Sequence, residues 1–255
     1  MQFCKVMLAR DADLDRIMYP VYASPKYDGV RCHIEEDENG IVHALTRSNK
    51  PIPNKYIRAQ LERREFRGFD CELIVGEPTA KDVFQKTQSA VMSFEGEPEF
   101  TLYVHDYLDM VQTFEERLSF LMQLRHKVRS ELLLKDVFRN VVFVDHRLIE
   151  SYDALLIAEH IALDQGYEGL ILRNPSAKYK QGRAGKTGQE LLRLKRFNDA
   201  EAVIIGWEQR FHNANDAMLY ERGYTKRSTR KDGMVAENLL GSFRVRDPET
   251  GVEFN

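Results

Sequence analysis

Apolar and polar residues alternate along several short stretches of the chain. Val30, Cys32 and Ile34 interleave with Arg31, His33 and Glu35. Successive side chains of a strand point to opposite faces, so the pattern predicts a half-buried strand. Phe69, Cys71, Leu73 and Val75 around Asp70 and Glu72 predict another, and residues 102–108 and 140–144 read as two more. In Leu191-Leu192-Arg193-Leu194-Lys195 the same alternation puts Arg193 and Lys195 on one face and Leu192 and Leu194 on the other.

Helical spacing is rarer. Asn54 can cap a short helix reaching about Glu65, and Thr113 with Glu116 forms a capping box before Leu118, Leu121, Leu124 and Val128. A third helix over 151–165 carries Ala154, Ile157, Ala158 and Ile161 on one face, with Gly166 as its stop. Strands outnumber helices without alternating strictly with them, which predicts an α+β fold of mostly antiparallel sheets rather than a doubly wound one. After a boundary near 197–199, residues 202–207 begin a new strand-rich segment. Residues 241–246 and 252–255 flank a turn at Asp247-Pro248-Glu249-Thr250-Gly251 and read as a hairpin.

Composition narrows the class. At 255 residues with 43% hydrophobic and 30% charged, the chain has the make-up of a globular protein with a substantial core. No apolar run approaches a bilayer span, and the N-terminus lacks a signal-peptide core. A cytoplasmic protein is expected, or a nuclear one in a eukaryotic host. Three cysteines without a C-x-x-C pair disfavour a disulfide framework or structural zinc. The net charge of -3 conceals two basic zones. Residues 178–196 hold seven basic side chains against one acid, and 222–231 hold five against none. Each zone reads either as a solvated loop or as a surface for a phosphate backbone.

The chemistry centres on Ser24-Pro25-Lys26-Tyr27-Asp28-Gly29-Val30-Arg31. Asp-Gly between apolar runs is a hairpin-turn signal. The chemical reading is a lysine nucleophile beside a turn, with Arg31 on the following strand. A lysine at its ordinary pKa of about 10.4 is almost wholly protonated at neutral pH, and neighbouring cations or a metal free the amine.

K-x-D-G-x-R resembles the first motif of the covalent nucleotidyltransferases, the group of DNA ligases, RNA ligases and capping enzymes. Segments resembling the later motifs follow in order. Thr46-Arg47-Ser48-Asn49-Lys50-Pro51 is similar to the second, and Asp70-Cys71-Glu72-Leu73 to D-G-E-L, with Cys71 where glycine is usual. Leu102-Tyr103-Val104-His105-Asp106-Tyr107 resembles the base-stacking segment, with His105 where Phe is usual and Tyr103 as second choice. Glu168-Gly169-Leu170-Ile171-Leu172-Arg173 resembles the E-G motif of ligases, where capping enzymes tend to have Asp. Arg193-Leu194-Lys195 resembles K-x-K with Arg for the first lysine. For Arg47, Glu72 and His105, a surface charge, a salt-bridge partner and a strand histidine are the plain alternatives.

From about residue 21 onward the chain is similar to minimal viral and bacterial ATP-dependent DNA ligases. The resemblance implies a nucleotidyltransferase domain over 1–198 and an OB-fold domain, a β-barrel, over 199–255. That second domain is expected to be partial, with the family's last basic motif falling beyond Asn255. The implied activity is sealing of nicks in duplex DNA by a monomer, with ATP and Mg²⁺ or Mn²⁺ as cofactors and AMP carried covalently on Lys26. Catalytic roles fall on Lys26, Asp28, Arg31 and Lys195. Nucleotide contacts fall on Ser24, Arg31, Arg47, Glu72, His105, Glu168, Arg193 and Lys195, and metal ligation on Glu72 and Glu168. DNA contacts are assigned to Arg47, Arg183, Lys186, Lys226, Arg227, Arg230 and Lys231, with 224–231 expected to order over the backbone. An RNA ligase or capping guanylyltransferase is the neighbouring alternative, and a non-catalytic OB-type binding protein the alternative from another class. An NAD-dependent ligase would need a longer chain with zinc-binding cysteines.

Overall fold

The computed structural model describes residues 3–196, 200–219 and 225–255. The chain divides into two compact units, Met1–Arg196 and Phe197–Asn255. The expected boundary at 197–199 lies outside the described residues.

In the first unit the strands run β1 (Met7–Leu8), β2 (Arg10–Asp11), β3 (Val21–Pro25), β4 (Val30–Glu36), β5 (Val42–Thr46), β6 (Phe69–Ile74), β7 (Thr101–Tyr107), β8 (Val141–Phe143), β9 (Arg147–Ile149), β10 (Gly169–Arg173), β11 (Gly182–Arg183) and β12 (Leu191–Lys195). Its helices are α1 (Lys55–Leu61), α2 (Val83–Met92), α3 (Phe114–Ser130), α4 (Leu132–Val137) and α5 (Tyr152–Asp164). Two five-stranded sheets result, ordered β5-β4-β6-β7-β8 and β2-β12-β10-β3-β9, and most of their pairings are antiparallel.

Strand alternation decides what each sheet faces. Val30, Cys32, Ile34, Cys71, Leu73, Leu102 and Val104 pack with Ile57 and Leu61 of α1, Val91 of α2 and Leu121 of α3. Val21, Ala23, Leu170, Leu172, Leu192 and Leu194 pack on Leu155 and Ala162 of α5. The intervening residues, Arg31, Glu72 and His105 from one sheet and Ile171, Arg173 and Arg193 from the other, are left to line a common pocket.

Asn54 caps α1 by accepting from Ile57 N, and Thr113 with Glu116 makes the full capping box of α3. Asp28-Gly29 is not a hairpin turn, because β3 and β4 belong to different sheets. Gly29 instead admits a close approach: a Cβ there would lie 2.2 Å from the Leu73 carbonyl oxygen. The facing of α5 follows the spacing rule only in part, with Ala154 and Ala158 packed against the second core. It buries Leu155, Glu159 and Ala162, while Ile157 and Ile161 are 59% and 43% exposed. Glu159 can be buried because Arg196 bonds both its oxygens, at 2.8 and 2.5 Å.

The second unit contains β13 (Val203–Asn213), β14 (Ala217–Leu219), β15 (Thr225–Arg227), β16 (Met234–Arg246) and β17 (Glu253–Phe254). β16 and β17 form the hairpin expected around 247–251. Among the described residues the sheet runs β13-β16-β17 with two free edges and does not close into a barrel, since three strands are too few to do so. Arg222 and Tyr224 of the basic insert lie outside the described residues, as does the side chain of Lys226. Among the described residues no helix is long and apolar enough to cross a membrane.

Candidate active site

A pocket of about 300 Å³ opens between the two sheets of the first unit. Ser24, Lys26, Asp28, Arg31, Arg47, Glu72, His105, Arg183 and Arg193 line it, so nine of the residues singled out from sequence converge on one cavity. Its wall includes six cationic side chains, Lys26, Arg31, Arg47, Arg173, Arg183 and Arg193, against the two carboxylates of Asp28 and Glu72. Such an excess suits a polyanionic ligand. Leu8, Ala9, Ile171 and Leu191 give the cavity an apolar part.

Lys26 follows directly on β3, its backbone N–H bonded to Gly169 O at 2.9 Å. That bond brings Glu168 alongside, and Lys26 Nζ donates to Glu168 Oε2. Lys195 Nζ donates to the other oxygen, Oε1, at 2.9 Å. Glu168 therefore bridges two ammonium groups. Burial alone would raise its pKa, but the two lysines outweigh it and hold the carboxyl below its usual range. Gly169 is required here by its φ of +151° and because a Cβ would lie 2.1 Å from Leu194 O.

Across the cavity Arg31 is held by Asp70, with Nε on Oδ1 and Nη2 on Oδ2, both at 2.6 Å. Burial opposes both charges, but each stabilises the other: Asp70 is driven well down and Arg31 well up. Glu72 sits opposite Arg31 on β6 and makes no ion pair among the described residues. Burial pushes it up to about 7, against the pull of Arg31 and Lys26. His105 is driven well down, by burial first and by Arg31 second, and is neutral at physiological pH. Tyr103, its alternative as a stacking ring, lies against Tyr27 with ring centroids 4.3 Å apart and does not line the cavity.

The K-x-K pair is split. Lys195 meets Glu168, whereas Arg193 forks onto Asp11 at 2.5 and 3.3 Å. Arg183 donates from Nη1 to Ala9 O at 2.8 Å. Lys186 is exposed and is not part of the lining. Arg227, Arg230 and Lys231 are exposed residues of the second unit.

The structure adds residues that alternation left unassigned. Asp106, fully buried, pairs with Arg117 Nε at 2.7 Å and with Arg173 Nη1 at 2.7 Å. Asp70 and Tyr179 sit beneath Arg31, and β1 contributes Leu8 to the wall. A charged residue on a strand beside apolar neighbours signals such pairs only once the partners are known. No group of three or more His, Cys, Asp or Glu suited to a metal occurs among the described residues. Glu72 is nonetheless a desolvated carboxylate that feels Arg31 and Lys26 but makes no direct ion pair among the described residues, and it fits a hard cation that takes its remaining ligands from phosphate and water.

The family model described as ATP dependent DNA ligase domain matches residues 5–195. The chain belongs to the ATP-dependent DNA ligase domain family. Among solved structures it resembles the Chlorella virus DNA ligase-adenylate, with 25% identity and a TM-score of 0.64 over 98% of this chain and 80% of that one. A Lig E DNA ligase shares the fold at 22% identity and a TM-score of 0.66, over 99% of this chain and 83% of the other. The bacteriophage T7 ATP-dependent DNA ligase, solved with ATP, does so at 19% identity and a TM-score of 0.51, over 88% and 80%. No curated protein matches the sequence.

Proposed function

We propose that this chain seals 5′-phosphate/3′-hydroxyl nicks in duplex DNA through a lysyl-AMP intermediate on Lys26. The observation that carries the reading is the placement of Lys26 at a strongly cationic pocket, hydrogen-bonded to a carboxylate that also holds Lys195.

In the first step Lys26 Nζ attacks the α-phosphorus of ATP. A P–N bond forms, the bond to the β-phosphate bridging oxygen breaks, and pyrophosphate leaves. Glu168 Oε2 accepts the hydrogen bond of Lys26 and holds Nζ in place, and the ammonium proton leaves to solvent before the attack. Arg31 Nη1, which makes no hydrogen bond to the described residues, and Lys195 offset charge on the phosphoryl oxygens, with Arg193 reaching in when it leaves Asp11. Ser24, Arg47 and His105 line the remaining wall, and His105 is neutral and so free to stack on a base. Glu72, with Glu168 as a second donor, would hold Mg²⁺; the cation supplies charge neutralisation at the phosphates. In the second step AMP passes to the 5′-phosphate of the nick, breaking the P–N bond. In the third the 3′-hydroxyl attacks that phosphate and AMP leaves.

We read residues 1–198 as the nucleotidyltransferase domain and 199–255 as part of an OB-fold domain. DNA contacts are assigned to Arg47, Arg183, Lys186, Lys226, Arg227, Arg230 and Lys231. Binding through phosphates should weaken steeply as salt rises.

The test is joining of an end-labelled nicked duplex with ATP and Mg²⁺. Joined DNA with wild type and none with Lys26→Ala supports the reading. Joining of nicked RNA in preference to DNA would move the activity to an RNA ligase, and labelling by GTP rather than ATP to a capping enzyme.

A further inference from the structure

Arg31 reaches the pocket from a strand whose other face is core, and nothing in its own backbone fixes where the guanidinium points. Its orientation comes from a closed ring of hydrogen bonds beneath it. Arg31 Nη2 donates to Asp70 Oδ2 at 2.6 Å and to Met7 O at 3.5 Å. Met7 N donates to the Tyr179 hydroxyl at 3.0 Å. That hydroxyl donates in turn to the same Asp70 Oδ2 at 2.7 Å. Tyr179 and Asp70 are 4% and 0% exposed, so no solvent substitutes for a missing member.

We propose that Tyr179 is a positioning residue for Arg31, fixing the carboxylate of Asp70 and tying the β1 wall to it by closing this ring. The proposal rests on the reading of the pocket as the site of nucleotide transfer. Without the hydroxyl, Asp70 Oδ2 loses one of its two short donors and can rotate about its terminal bond. Arg31, gripped at both oxygens, turns with it. Met7 N loses its acceptor at the same time, and Met7 adjoins Leu8 and Ala9 of the pocket wall. The sheet pairing, the Asp70–Arg31 ion pair and the packing of the ring against Met7, Ala184 and Leu191 do not need the hydroxyl.

Tyr179→Phe keeps that packing and the ring under Arg117, whose guanidinium carbon lies 5.4 Å from its centroid. The experiment follows single-turnover transfer of label from α-labelled ATP to the full chain, for wild type, Tyr179→Phe, Arg31→Lys and the double variant. The folded fraction of each is taken from thermal unfolding. Loss of one buried hydrogen bond predicts a rate about tenfold lower for Tyr179→Phe, with half-saturating ATP changed less than about twofold if the loss falls on the transition state. The double variant is expected to be no slower than the slower single variant, because both changes act through one guanidinium. Multiplied losses in the double variant, or a rate that falls only with the folded fraction, overturn the role of Tyr179. No label on folded wild type overturns the nucleotide-transfer reading and this proposal with it, so the two failures are distinguishable.

Discussion

The two sheets that face the pocket hold their charges in opposite ways. On the β4-β6-β7 side, Asp70 and Asp106 are fully buried and each is gripped by arginine at both oxygens. On the β3-β10-β12 side, the paired side chains of Lys26, Glu168, Lys195 and Arg193 are 18–37% exposed, and Asp11, the partner of Arg193, is 61% exposed. Pairs with a fully buried carboxylate are costly to break, because the survivor is a charge without water or partner, whereas partly exposed pairs exchange more readily with solvent. One wall of the pocket is therefore a rigid frame. The other carries Lys26, the proposed nucleophile, in an arrangement that an arriving phosphate can rearrange at smaller cost.

Variants should separate the two walls. Asp106→Asn, which strands Arg117 and Arg173 in the interior, is expected to cost about 3–5 kcal/mol of stability, read by urea or thermal unfolding. An unfolding midpoint close to wild type would deny the rigid frame. Glu168→Gln lies on the exchangeable wall. It should alter stability by less than about 1 kcal/mol yet slow lysine adenylylation by about 100-fold. A large stability loss without a rate effect would reverse the comparison.

An effect confined to acid pH is expected from His146, which burial and Arg173 drive down to about 3. An unfolded histidine titrates near 6.5. The unfolded chain thus takes up a proton below that pH while the folded chain does not until about 3. Stability from this group is complete above about 6.5 and is lost as the pH falls toward the folded value. The slope is at most about 1.4 kcal/mol per pH unit. His146→Gln should flatten unfolding free energy between pH 6.5 and 4, about the range its titration spans; an unchanged slope would place the uptake elsewhere. Smallest of all is Asp11→Asn, an exposed partner of Arg193. Stability should move by less than about 0.5 kcal/mol and ATP half-saturation by less than about fivefold.

The side chains that meet in the pocket are more legible in the sequence than the buried pairs behind them, and the reason is chemical. Lys26, Glu168 and Lys195 lie in short segments that resemble nucleotidyltransferase motifs, as do Arg31, Glu72 and His105, so the resemblance points to them before the fold is known. The frame depends on long-range pairing. Asp106 meets Arg117 eleven residues away but Arg173 sixty-seven away, and Asp70 meets Tyr179 across 109. No local pattern encodes those partners. Alternation placed the faces of β4, β6 and β12 correctly because their apolar residues meet a helix layer or a second core. In α5 it is right for Ala154 and Ala158, which pack against the core, and wrong for Ile157 and Ile161, because Leu155, Ala162 and the Arg196-paired Glu159 take the buried positions. The Asp28-Gly29 step read as a hairpin because turn chemistry and close backbone approach both call for glycine.

The most direct test of the account is incubation of wild type and Lys26→Ala with α-labelled ATP and Mg²⁺, followed by a denaturing gel and peptide mapping. The account predicts a labelled band in wild type, with AMP on the peptide containing Lys26, and no band in the variant. Label retained by Lys26→Ala, or mapped to another lysine such as Lys195, would contradict it.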